Sequence, residues 1–273
     1  MKILIAGGVG FILTLVTLPF LLKMLQDTGA TRPNYRGESI PVGMGLIFVF
    51  VYILAAFLLV YWSAGDLALL VLFLMGVMFF ATLGLLDDML GSRESRGLKG
   101  HFGALLKGKL TTGALKALGG GAGALLISFI SMPGRPWWEI LTAALLVALA
   151  ANTINLVDLR PGRAIKVFYL WFLIILAVFQ DKLPLVFIAP LAGGLLVCAP
   201  ADLKARAMLG DTGANLLGAA LGMVSIWTMT FSTQLAVVIF LLLLHLFTEK
   251  YSLTKIIERN RFLCFLDNLG RSK

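Results

Sequence analysis

The chain has 273 residues, of which 59% are hydrophobic and only 14% charged, and its mean hydropathy is +0.95. This composition excludes a soluble globular protein, because so few polar side chains cannot cover its surface. The formal net charge of +9 does not indicate nucleic-acid binding, because the basic residues are spread over many short segments between apolar runs and form no single stripe.

Apolar runs of membrane-spanning length recur along the whole chain. A run of about 20 residues crosses the hydrocarbon layer as a helix, and these runs lack the alternation of barrel strands. The sequence therefore predicts an all-α, polytopic integral membrane helix bundle, a single transmembrane domain over residues 1–273. About nine transmembrane helices are predicted, at residues 3–22, 43–62, 67–86, 111–131, 140–157, 165–179, 183–199, 213–231 and 235–248.

The basic residues predict the orientation of this bundle. If the N-terminus lies outside, only Lys2, Arg135 and Lys182 of the 23 Lys and Arg residues fall on outer segments. Cytoplasmic loops are enriched in Lys and Arg, so the N-terminus is predicted outside and the C-terminus in the cytoplasm. The inner loops are the longer ones and contain Gly, Pro, Asn and Asp, which predicts an active site on the cytoplasmic face.

The first inner loop, residues 31–45, combines Arg32 and Arg36 with turn-forming Pro, Asn and Gly residues. Such a loop can fold over an anionic ligand. A plain connecting loop accounts for the same residues about as well, and both interpretations stay open at this point.

Asp87 and Asp88 stand where the third predicted span ends. Adjacent carboxylates repel each other and lose hydration at a membrane surface, so a bound divalent metal or nearby lysines would compensate them. Two solvated acids at a helix end are the alternative. The basic loop that follows, up to residue 110, can hold phosphates or contact anionic lipid headgroups.

Asn152, Asn155 and Asp158 recur at intervals of three residues at the end of the fifth predicted span. On a helix this spacing places them in a row on one face. Asparagine is costly in a membrane unless it bonds a partner, which favours a polar site over a plain helix–helix contact. For Asp158, a structural ion pair with Arg160 or Arg163 is the alternative.

Asp211 lies just before the eighth predicted span, within Gly210–Gly213. One interpretation is an N-cap, for which aspartate is favoured. The other is that Asp211 holds a metal while the amides of the helix start face a phosphate. Four acids, Asp87, Asp88, Asp158 and Asp211, thus come from three separate spans to one membrane face, and this convergence favours a functional site.

In this order, the motifs resemble the polyprenyl-phosphate N-acetylhexosamine-1-phosphate transferases. The likeness runs through Arg32–Gly45, Leu86–Asp88, Lys116, Asn152–Asp158 and Gly210–Gly213. It implies transfer of a sugar-1-phosphate, expected to be N-acetylhexosamine-1-phosphate, from a UDP-sugar to polyprenyl phosphate with release of UMP. The implied setting is cell-envelope glycan synthesis by a multi-pass protein of the plasma membrane, with the lipid and the UDP-sugar as partners. A homodimer is compatible with it.

The resemblance also implies roles for individual residues. Asp211, with Asn155, is implied to ligate Mg2+, for which Mn2+ can substitute. Asp87, Asp88 and Asp158 are implied as catalytic residues, and the first two orient the lipid phosphate. The residues implied to bind substrate are Lys116, Asn152 and Asn155. Arg259 and Arg261 are added from their own chemistry, because their guanidinium groups can bind a pyrophosphate where the family has histidines.

Three departures from the family pattern motivate an alternative function. Pro161 stands where a second acid is expected, no histidine cluster occurs around residues 258–265, and the chain ends after the ninth predicted span, where relatives have a tenth helix. The alternative is a non-catalytic relative that binds polyprenyl phosphate or membrane partners. A transporter would need polar groups near mid-membrane or broken helices in repeated halves, and the sequence shows neither clearly.

Overall fold

In the computed structural model, which describes residues 1–63, 66–91, 108, 111–179 and 183–271, the chain forms a helix bundle with one small β-hairpin. The hairpin pairs β1 (Thr31–Pro33) with β2 (Ser39–Pro41), and a 3-10 turn follows at Met44–Leu46. The helices are α1 (Lys2–Asp27), α2 (Ile47–Ser63), α3 (Leu67–Leu90), α4 (Thr112–Ser131), α5 (Trp137–Val157), α6 (Arg163–Val178), α7 (Leu183–Leu203), α8 (Gly210–Thr228), α9 (Phe231–Lys250), α10 (Leu253–Arg259) and α11 (Arg261–Asn268).

Helices occupy all nine predicted spans. Among the described residues, seven helices are long and apolar enough to cross a membrane. The two further helices at predicted spans are α6, with 16 residues, and α8, with 19. The chain is therefore a polytopic all-α membrane protein, whereas the count of nine spans and the orientation of the termini stay predictions.

The helix α8 lies at the centre of the bundle. It packs extensively against α3 and α5 and also contacts α6, α7 and the 3-10 turn. Every residue from Thr212 to Ile226 is buried, and the small side chains along it let neighbouring backbones approach closely. The other helices surround this core, since α4 packs on α3 and α5, α9 packs on α5, and α1 packs on α2 and α7.

Replacing Gly218 in α8 by alanine is expected to destabilise the bundle. A Cβ here would overlap the α5 backbone at Ala150 and Ala151, 2.5 Å from the Ala151 Cα. Overpacking of this kind costs about 1–3 kcal/mol, which a thermal melt of detergent-solubilised protein would show as a lower Tm. Gly121→Ala is the matched control, because a Cβ there meets nothing within 4 Å. Equal losses in the two variants would contradict this interpretation.

The loop predicted as the first inner one contains a β-hairpin, which the sequence did not predict. Asn34 closes its turn, because its Oδ1 accepts the backbone N–H groups of Arg36 and Glu38 at 2.8 and 3.0 Å. The second strand is joined to the segment before α8, where Met208 donates its N–H to the Pro41 carbonyl at 2.9 Å. These bonds hold the hairpin at the end of the bundle where α8 begins.

The inner tail predicted after the ninth span contains the two short helices α10 and α11. The second of them is hydrogen-bonded to the beginning of α6, where Arg163 donates to Asp267 at 2.7 and 2.8 Å. The loop before α6 shares a cavity wall with the hairpin. The tail therefore lies at the same end of the bundle as the hairpin.

Candidate active site

A cavity of about 330 Å³ opens at the end of the bundle where α3 and α5 end and α8 begins. Helix ends, the hairpin and the loop after α5 form its wall, and a volume of this order suits a small-molecule ligand. The structure brings together here the four acids that the sequence predicted to converge. The charged residues that line the cavity are Arg32, Asp87, Asp88, Asp158, Arg160, Asp202 and Asp211.

Lys116, on α4, marks a cation position beside this cavity, next to two of its lining acids. Its Nζ pairs with Asp211 and lies 3.6 Å from Asp87 Oδ2. In the amide orientation that satisfies both neighbours, Asn155 donates to Asp211 Oδ1 and accepts from Lys116 Nζ, each at 2.9 Å. Three helices, α3, α5 and α8, thus place oxygen atoms around one ammonium group. For Asp87, a nearby lysine supplies the compensating charge.

Asp88 has a different environment from its neighbour. It is 9% exposed, its Oδ1 accepts the Asp211 N–H at 2.9 Å, and its Oδ2 accepts the N–H and the hydroxyl of Thr212 at 2.9 and 2.6 Å. An acid on α3 therefore satisfies two of the free N–H groups at the start of α8. The alternative of two solvated acids is wrong.

The alternative that Asp211 is the N-cap of α8 is also wrong. Leu209 occupies the N-cap position without a side-chain cap bond, and Asp211 lies in the first helical turn. Because Asp88 binds the N–H groups of this turn from outside the helix, the Asp211 carboxylate is left to face Lys116.

Asp158, just after α5, is not paired with the arginines beside it in the sequence. Arg160 pairs with Glu258 at 3.7 Å and Arg163 with Asp267 at 2.7 Å. The ion-pair alternative for Asp158 is therefore wrong, and its side chain lines the cavity instead.

The carboxyl of Asp158 faces other acids. Burial raises the pKa of Asp158 well above its ordinary value, and the charges of Asp202, Asp211 and Asp88 raise it further. Asp158 therefore keeps its proton to a higher pH than a solvated aspartate would. A cation bound among these acids would reverse part of this effect, because opposite charge favours the ionised form.

Asp202 is a site residue that the sequence analysis missed. It lies near the end of α7, is 4% exposed, and accepts the Gly162 N–H at 2.6 Å through Oδ2. It lines the same cavity as Asp158 and Pro161. The signal that could have found it is an acid at the predicted inner end of an apolar run, which is the argument that singled out Asp87.

Comparison with known proteins identifies the family of this chain. The family model described as Glycosyl transferase family 4 matches residues 69–229, from the beginning of α3 to the end of α8. The chain belongs to this family. The resemblance seen in the sequence motifs is thereby confirmed.

Relatives of this chain within the family carry the name phospho-N-acetylmuramoyl-pentapeptide-transferase. The protein of Thermotoga neapolitana is 28% identical over 236 residues, which cover 81% of this chain and 74% of the relative. That of Thermotoga maritima is 30% identical over 244 residues, with the same coverage of 81% and 74%. That of Clostridium perfringens is 30% identical over 241 residues, covering 83% and 73%.

The matched region of the family 4 chain contains every predicted site residue except Arg259 and Arg261. Neither of these lines the cavity, and Arg261 borders a second cleft formed by the C-terminal residues. Asn152 is exposed and also absent from the cavity lining. Lys116 and Asn155 are also absent from the cavity lining. Substrate binding by all five residues stays a prediction. Most of the basic loop after α3, residues 92–107 and 109–110, lies outside the described residues.

The acids of this site can bind Mg2+ only if oxygens of substrate or water complete the coordination of the ion. No group of three or more His, Cys, Asp or Glu side chains that could hold a metal occurs in the described part of the chain. Asp87 and Asp211 nevertheless converge on one cation. Mg2+ is usually bound by one or two carboxylates together with waters and substrate phosphates, and Asn155 would add an amide oxygen.

Proposed function

We propose that this chain transfers a sugar-1-phosphate, N-acetylhexosamine-1-phosphate in the first instance, from a UDP-sugar to polyprenyl phosphate and releases UMP. The proposal places this phosphotransferase in cell-envelope glycan synthesis, at the cytoplasmic face of the plasma membrane. The observation that carries it is the convergence of Asp87, Asp211 and Asn155 on the cation position of Lys116, beside a cavity. The name of the relatives supports the same chemistry.

The proposed reaction exchanges one phosphorus–oxygen bond for another. An oxygen of polyprenyl phosphate attacks the β-phosphorus of the UDP-sugar, and the bond from that phosphorus to the oxygen shared with the α-phosphate breaks. UMP leaves with that oxygen. Because a phosphate monoester with a second pKa of about 6 is largely dianionic at neutral pH, no side chain has to remove a proton from it. Catalysis then depends on charge neutralisation and alignment.

Two arginines in the cavity wall suit the diphosphate of the donor. Arg32 is oriented by a hydrogen bond to the Asp88 carbonyl at 2.8 Å, and its guanidinium has further N–H groups for phosphate oxygens. Arg160 lies over the ring of Tyr35, 5.3 Å from its centroid. These contacts hold both side chains at the cavity, where they bind the diphosphate.

The acids divide the remaining roles. Asp211, with Asn155, would hold Mg2+ or Mn2+, and the bound ion would neutralise charge on the diphosphate. Asp87 orients the lipid phosphate. Lys116 balances the negative charges of Asp87 and Asp211. The implied role of Asp88 in orienting the lipid phosphate is replaced by a positioning role, because both of its oxygens are bonded to the α8 turn that carries Asp211.

Pro161 stands where the family pattern has a second acid, but another acid lines the cavity beside it. Asp202 lines the cavity with Pro161 and accepts the N–H of the next residue, Gly162. This supports an active enzyme over the non-catalytic relative that the sequence left open.

Purified protein incubated with Mg2+, undecaprenyl phosphate and a panel of labelled UDP-sugars is expected to release UMP with at least one donor. Removal of divalent cations with EDTA should stop the release, and added Mg2+ or Mn2+ should restore it. A reaction without the lipid acceptor is the control, and it should show only background hydrolysis. Retained binding of polyprenyl phosphate without turnover of any donor would favour the non-catalytic relative instead.

A further inference from the structure

The loop that brings Asp158 and Arg160 to the cavity, residues 158–162, is attached to the C-terminal segment, residues 251–271. Arg271 donates from Nε to the Pro161 carbonyl at 2.7 Å. Arg160 pairs with Glu258 at 3.7 Å. The C-terminal segment therefore holds one side of a loop whose side chains reach the proposed diphosphate site.

Asp267 is the centre of this attachment. Its two oxygens accept four N–H groups, at 2.7 and 2.8 Å from Arg163 and at 2.7 and 2.9 Å from Arg271. The Arg163 and Asp267 side chains are only 5% and 9% exposed. Lys166 adds hydrogen bonds to the carbonyls of Leu266 and Asp267 at 2.9 and 2.7 Å. One carboxylate thus joins the start of α6 to the last described turn of the chain.

This arrangement specifies geometry more than it stabilises the bundle. The desolvation of buried charges offsets most of their attraction, so such a network contributes little net stability for its size. Two guanidinium groups that bind one carboxylate in parallel pairs restrict the orientation of all three groups. The orientation of Arg271 matters for the loop, because the same guanidinium binds the Pro161 carbonyl.

The other side of the loop is held independently. Gly162 has φ +78° and donates its N–H to Asp202 at 2.6 Å, which anchors the end of the loop to α7. An added Cβ at Gly162 would overlap Leu203. The loop is therefore attached to α7 and to the C-terminal segment, and Arg160 also contacts Tyr35 of the hairpin. Of these, the attachment to the C-terminal segment is the one that depends on Asp267.

We propose that Asp267 is a positioning residue, which orients Arg271 and Arg163 so that the loop 158–162 presents Asp158 and Arg160 to the donor. Its catalytic consequence rests on the proposed function, whereas the attachment of the loop does not. Asp267 touches no cavity-lining acid directly and acts through the two arginines.

Hydrogen–deuterium exchange of the full chain in detergent tests the attachment without any substrate. Asp267→Asn is expected to speed exchange in peptides that cover residues 158–163 by about tenfold, because the charged hydrogen bonds that orient Arg163 and Arg271 are lost and Arg271 no longer holds the Pro161 carbonyl firmly. Asp267→Glu keeps the charge and should show a smaller effect. Asp27→Asn, at the exposed end of α1, is the matched control and should leave exchange unchanged. Arg271→Gln removes the Pro161 bond but leaves the Arg163–Asp267 pair, and it should repeat the result if Asp267→Asn fails to fold.

Steady-state kinetics separates positioning from general stability. Asp267→Asn is expected to raise the KM for the UDP-sugar by about tenfold, because Arg160 is displaced. The KM for polyprenyl phosphate should not change, and Asp267→Glu should recover most of the donor affinity. Unchanged exchange at residues 158–163, or an equal increase in peptides of α3, would overturn the proposal. A wild-type chain without transfer activity would overturn the proposed function, and the exchange result would still decide whether Asp267 holds the loop.

Discussion

Asp211→Asn is expected to reduce UMP release by about a hundred- to a thousand-fold, the usual effect of removing one preorganised electrostatic group. The amide keeps the shape of the carboxylate and one oxygen, but it loses the charge that faces Lys116 and the proposed metal. Initial rates with saturating donor and acceptor measure the loss. A Mg2+ titration should also show that the variant needs a higher concentration for half its maximal rate.

Two controls make the Asp211 result specific. Asp27→Asn also removes a negative charge, but from the exposed end of α1, so its rate should stay within about twofold of wild type. A thermal melt of Asp211→Asn shows whether the variant remains folded. A folded variant with a wild-type rate and an unchanged Mg2+ requirement would contradict the role given to Asp211.

Asp88→Ala is expected to destabilise the protein strongly. The change leaves three donors at the start of α8 without their acceptor, namely the N–H of Asp211 and the N–H and hydroxyl of Thr212. A buried donor without a partner costs about 1–3 kcal/mol, so the free energy of unfolding should fall by several kcal/mol, before neighbours relax. The Tm of detergent-solubilised protein, measured with and without Mg2+, reports this loss.

Asp87→Ala is the matched comparison, because it removes the same group one residue earlier. The Asp87 side chain is 26% exposed, and its ion pair with Lys116 is long, at 3.6 Å. We therefore expect a small change in Tm and a large loss of UMP release, whereas Asp88→Ala lowers both. Equal changes of Tm in the two variants would contradict the view that Asp88 stabilises the protein by capping α8.

Most of the helices could be predicted from the sequence, because each membrane-spanning segment must be apolar and of sufficient length by itself. A backbone in hydrocarbon must satisfy its own hydrogen bonds, so each apolar run of sufficient length forms a helix whatever its neighbours are. No such local requirement predicts the hairpin at Thr31–Pro41. Its position depends on backbone bonds from residues such as Met208, far along the chain, and the turn-forming residues of the loop allow other conformations.

The sequence predicted which residues meet at the candidate site, but not the separate role of each residue. Acids and an asparagine at the inner ends of three runs indicated that Asp87, Asn155 and Asp211 meet. Nothing in the adjacent pair Asp87 and Asp88 distinguishes them, because their difference lies in which neighbouring helix each side chain faces. Successive residues on a helix point about 100° apart, so Asp88 reaches the backbone of α8 and Asp87 reaches Lys116 on α4.

The amino-acid sequence by itself determined that this protein is a polytopic helical membrane protein with acids gathered at one membrane face, because hydropathy and the placement of charges act span by span. Only the tertiary structure decided that Asp88 caps α8, that Asp202 enters the cavity, and that Asp267 ties the C-terminal segment to the loop of Asp158. Each of these depends on hydrogen bonds between residues distant in the chain. Such bonds require particular distances and directions, which exist only once the helices have packed.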